Sequence, residues 1–142
     1  MIFKTERAKM INKFENETAP LNDIERSAAA IIASALYKFH VGEHKAVNAQ
    51  HICNSLAEHF PQYRTTKQTP YLTGARIRKI INHIRINNLC PNVVASSKGY
   101  YVSDNAQEMQ EYVQSLRQRA AAINAVADAL NMQMAENMGK QV

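Results

Sequence analysis

The chain has no tryptophan, two cysteines, and only four glycines and four prolines in 142 residues. So few turn-formers and aromatics argue against an all-β sandwich and favour a mainly α chain. Cys53 and Cys90 lack the CxxC spacing of a zinc ribbon or a thioredoxin-like redox site and read as buried free thiols. His40 and His44, and His51 with Cys53, are close in sequence, yet a structural zinc needs about four convergent ligands. Residues two apart on a helix point to different sides, so no metal is expected. No run approaches the roughly 20 apolar residues of a membrane span, and residues 1–12 lack the apolar core of a signal peptide. A cytoplasmic protein is expected, with one domain of roughly 100 residues and an extension. A Gly-rich phosphate loop, a GxSxG and an HExxH are all missing, so neither an enzyme nor a cofactor is expected.

The most informative absence is that of acid. Between Glu58 and Asp104 lie 45 residues with seven basic side chains, Arg64, Lys67, Arg76, Arg78, Lys79, Arg85 and Lys98, and no Asp or Glu. The rest of the chain holds ten Lys and Arg against twelve Asp and Glu, so the net charge of +5 comes from this block. Positive charge so concentrated is the usual footprint of a polyanion-binding surface, although a charged helix face is often only a solvated one. The block also holds no carboxylate for acid or base catalysis.

What is present is helical periodicity. Residues 1–20 are polar, lack a clear repeating apolar face and read as an arm or a weak amphipathic helix. Asn22 or Asp23 caps a first helix continuing to about Val41, buried on Ile24, Ala28, Ile31, Ile32, Ala35, Leu36 and Phe39 and closed by Gly42. Residues 45–47 read as a single bridging strand, and Asn48 caps a second helix over residues 49–60, with Ile52, Cys53, Leu56 and Phe60 on one face. A long turn spans residues 61–72. Thr73 then caps a third helix that continues to about Asn88, with Ile77, Ile80, Ile81 and Ile84 as its core face and a cationic face opposite. The segments 93–96 and 100–103 flank Ser97-Lys98-Gly99 as a hairpin. The last helix spans residues 104–139, with Met109, Val113, Leu116, Ala120, Ile123, Ala127, Leu130 and Met134 spaced alternately four and three.

This order of elements resembles the winged helix-turn-helix family, with helices two and three and the hairpin carrying the resemblance, which extends over about residues 21–130. The phrases TGARIRKIINHIRINN and SSKGYYVSDNAQEMQEYVQSLRQRAAAI look like small winged-helix proteins of phages and prophages, which are associated with replication or regulation. The resemblance implies a winged-helix domain over 21–116, a short β-hairpin wing, and a double-stranded DNA partner with helix 73–88 in the major groove. Arg76, Lys79, Asn82 and His83 are then the candidates to reach base edges, and Arg78 and Arg85 to reach phosphate. Thr73 and the Gly74 amide would hold a phosphate oxygen at the helix start. Lys98 takes the wing tip with Tyr100 or Tyr101 beside it, and Arg64 and Lys67 contact backbone from the turn. The last helix is longer than such a domain needs, and its heptads point to a homodimer, with folding back onto the first helix as the alternative. The competing function is a protein-interaction module for host or phage replication or transcription machinery, binding without direct DNA reading.

Overall fold

The structure, a computed structural model, describes residues 20–139, so all of the expected arm except Pro20 lies outside the described residues. The chain divides into two compact units between Asp104 and Asn105. The first holds α1 (Asp23–Phe39), α2 (Ala49–His59) and α3 (Gly74–Ile86), then β1 (Val93–Ser96) and β2 (Gly99–Val102); the second is the single helix α4 (Ala106–Gly139). The protein is therefore mainly helical, with a small antiparallel hairpin and a long C-terminal helix. No described helix is long and apolar enough to cross a membrane.

α1 begins in a reciprocal capping box. The Asn22 side chain accepts from the Glu25 amide at 2.8 Å, and the Glu25 carboxylate accepts from the Asn22 amide at 3.0 Å. The buried face carries Ala28, Ala29, Ile32, Ala33 and Leu36. Phe39, expected in the core, is exposed, because its place in the final turn leaves it beyond that face. The helix ends two residues short of Val41 because the chain leaves it to pair with β2. The His40 carbonyl accepts from the Val102 amide, and the Val102 carbonyl accepts from the Gly42 amide.

α3 is the central element of the first unit and packs on both α1 and α2. Ile77, Ile80, Ile81 and Ile84 recur at helical spacing and are all fully buried, each contributing about 2 kcal/mol through removal of its side chain from water. The long turn before α3 is anchored rather than loose. Pro61–Tyr63 forms a 3-10 turn, the buried Tyr63 hydroxyl lies 2.6 Å from Ser27 Oγ on α1, and the Tyr71 amide donates to the Tyr63 carbonyl at 2.8 Å.

The hairpin pairs Val93 with Val102 and Ser96 with Gly99, leaving Ser97 and Lys98 as the loop. β2 starts one residue before the expected Tyr100 because Gly99 already pairs. Of the bridging strand expected over residues 45–47, only Val47 pairs, exchanging bonds of 2.9 and 2.8 Å with Tyr100; Lys45 belongs to a 3-10 turn, Glu43–Lys45. Gly99 has φ +121°, and a Cβ there would run into the Val47 carbonyl. Backbone strain and backbone collision act together at this position. Gly99→Ala is therefore expected to lower stability by about 2 kcal/mol, read as a reduced midpoint in urea, whereas Gly74→Ala, which meets nothing within 4 Å, should not destabilise.

Candidate nucleic-acid interface

At about 100° per residue, the surface of α3 outside its isoleucine face separates into two stripes. Arg76, Lys79 and His83 form one; Ala75, Arg78, Asn82 and Arg85 form the other. By sequence these residues make a single cationic face, whereas the structure gives the two stripes different surroundings.

Arg76 and Lys79 of the first stripe are engaged by the rest of the unit. Lys79 is only 13% exposed, and its Nζ lies 3.0 Å from Oε1 of Glu25, itself 2% exposed. Glu25 is held in place by the capping box, so the pair ties the first turn of α1 to the middle of α3. Burial pushes the Glu25 carboxyl up, but the Asn22 amide, the bond and charge of Lys79 and the charge of Arg76 together hold it below its ordinary value. The Arg76 guanidinium lies 4.9 Å from the Tyr71 ring centroid and donates to the Tyr71 hydroxyl at 3.3 Å. Lys79, expected to reach a base edge, is thus placed as the half-buried partner of a buried carboxylate. The Asn22-x-x-Glu25 spacing makes the capping box visible in sequence, but nothing local signals a lysine 54 residues away.

The second stripe is more open. Arg78 is exposed and has no hydrogen-bond or ion-pair partner among the described residues. Arg85 instead donates from Nε to the Val93 carbonyl at 3.1 Å, joining α3 to β1, and its Nη1 lies 3.5 Å from Asn82 Oδ1. Asn82 is half-buried, while Ile86 is 81% exposed at the end of the helix. His83, on the first stripe, lies 3.2 Å from the Asn87 side-chain nitrogen.

The other candidate residues divide in the same way. Arg64 donates to the carbonyls of Ala57 and Glu58 at the end of α2, where it satisfies carbonyls that the helix leaves unpaired. Lys67 is exposed in the turn. Thr73 stands at the start of α3 without a side-chain cap bond, and it and Gly74 are exposed. Lys98 at the hairpin tip lies 3.4 Å from Glu43, both exposed, a pairing worth little. Tyr100 is half-buried, whereas Tyr101 and Tyr63 are core. Both cysteines are buried and free, and burial pushes their thiols up. Among the described residues, no three His, Cys, Asp or Glu side chains gather as a metal site.

No protein-family model, no curated protein and no solved structure matches the chain.

Removing Lys79 leaves the buried Glu25 carboxylate without its partner, at a cost of about 3 kcal/mol. Lys79→Met is expected to destabilise the protein on that scale, and combining it with Glu25→Gln, which preserves the cap, should recover most of the loss in a chemical-denaturation cycle. The Glu25 carboxyl is held below its ordinary value near 4.5, so its contribution is full above that pH and is lost as pH falls through the lower folded value. The Glu25→Gln protein should accordingly show a flatter fall in stability below about pH 4.5 than the parent.

Proposed function

We propose that the first unit is a winged helix-turn-helix that binds double-stranded DNA, with α3 in the major groove and the 97–99 hairpin as the wing. The observation that carries this reading is the acid-free span of 45 residues, which supplies the turn before α3, α3 itself and the hairpin. The element order supports it: a helix, two bridging residues, Val41 and Val47, two further helices, and a hairpin whose second strand pairs with both bridging residues. The geometry of α3 favours the stripe of Arg78 and Asn82 as the side that approaches DNA, because Lys79 is committed to Glu25. Arg78 meets a phosphate or a guanine edge, Asn82 an adenine edge, and the exposed start of α3 at Thr73 and Gly74 a phosphate oxygen. Lys67 and Lys98 add backbone contacts from the turn and the wing. In keeping with the resemblance to phage and prophage proteins, the role is that of a regulator or a replication-associated factor.

Binding of this kind weakens with salt, the logarithm of affinity falling in proportion to the phosphates neutralised. Arg78→Ala is expected to reduce affinity and, where Arg78 meets phosphate, to lower the magnitude of the salt slope by about one, measured by fluorescence anisotropy on duplex DNA. Unchanged affinity at every salt concentration would remove Arg78 from the interface; failure of the parent protein to bind any duplex at low salt would overturn the reading.

A second reading has its own observation. Ile86 is 81% exposed on α3, and an apolar groove of about 130 Å³ between α1 and α2 is lined by Ile31, Ala35, Leu36, Ile52, Leu56 and Phe60. Both suit a protein-interaction module that docks on replication or transcription machinery. Co-purification with such a partner, without retention on immobilised DNA, favours that alternative.

A further inference from the structure

α4 is a helix of 34 residues with no buried side chain. Its apolar positions are spaced alternately four and three from Met109 to Met134, and Leu116, Ile123 and Leu130 are 40%, 68% and 58% exposed. A seam with this period is a coiled-coil seam.

We infer that the seam is covered by α4 of a second copy of this chain, running antiparallel, with the twofold axis at the level between Ala121 and Ala122. In that register Ala120 meets the partner's Ile123, Leu116 meets the partner's Ala127, Val113 meets the partner's Leu130, and Met109 meets the partner's Met134. Both small residues therefore face a large one, which is how facing layers reach interior packing density. A parallel pair sets like against like instead. Ala120 and Ala127 would then each face their own copy, leaving two thin layers between thick ones.

Charge favours the same direction. Arg117 flanks the seam on the side that also carries Asp128, and in the antiparallel register Arg117 stands about two residues in level, or about 3 Å along the axis, from the partner's Asp128. The twofold axis makes this pairing twice. In the parallel arrangement the flank of Arg117 meets that of Tyr112 instead.

The size of the contact is adequate. The seam is about 38 Å long at 1.5 Å per residue, and a stripe a third of the way round a helix is roughly 15 Å wide at the accessible surface, giving on the order of 1,100 Å² over both copies. That lies near the lower limit for a specific interface, about 1,000 Å², so a dimer that dissociates on dilution is expected.

The experiment needs no DNA and is independent of the function proposed above. Sedimentation of the full chain over a range of concentrations should show a monomer–dimer equilibrium, and Ile123→Asp, on a helix already solvent-exposed, should leave helicity unchanged while abolishing the dimer. Orientation is read by oxidative cross-linking. V113C and L130C proteins should each remain uncross-linked alone yet form a covalent dimer when mixed, because residues 113 and 130 of one straight helix are about 25 Å apart and cannot join to each other. Cross-linking of either protein alone would establish a parallel pair and overturn the register; a monomer at every concentration would overturn the inference altogether.

Discussion

The ion pair between Glu25 and Lys79 is the constraint on which the geometry of the first unit depends. Glu25 is fixed from one side by the capping box with Asn22 and from the other by Lys79 at 3.0 Å, so the entry to α1 and the middle of α3 are held in one arrangement. Two charges so far from water cost more to bury than a neutral pair and become tolerable only when their bonds are complete. Here the carboxylate has both an amide and an ammonium. The isoleucines of α3 supply the larger share of the burial energy, but apolar packing alone is permissive about rotation. The pair selects which stripe of the helix is turned toward α1 and which stays open.

That selection changes how the positive block is to be understood. Its charge is unbroken in sequence, yet its members serve different ends. Arg64 closes the C-terminus of α2, Arg85 joins α3 to β1, and Lys79 faces a carboxylate from outside the block. Arg78 and Lys67 remain exposed. An acid-free span thus combines cations that hold the fold together with cations that are available to a polyanion.

Much of the fold was legible because it rests on local rules. Asn48 caps α2, the four-isoleucine period defines the buried face of α3, and the Ser-Lys loop before Gly99 marks the hairpin. What could not be read depended on contacts between distant segments. Phe39 has the right period for the core but lies in the final turn of α1. Lys45 falls in a 3-10 turn because only Val47 is positioned to pair with Tyr100. Within the candidate site, the residue types of α3 were legible and their division into two stripes was not, since Glu25 approaches from 54 residues away. The heptads of α4, by contrast, lie within one helix, and their period needs no tertiary information to be seen.

The proposed division of labour is that Lys79 serves the fold while the Arg78 side of α3 meets DNA. It is tested most directly by the duplex affinity of the protein carrying Glu25→Gln together with Lys79→Met, compared with the parent at one salt concentration. A folded protein whose affinity for DNA stays within a few-fold of the parent is expected, because a neutral pair would replace a charged one away from the proposed contact. A protein equally well folded but unable to bind would contradict it and make Lys79 a contact.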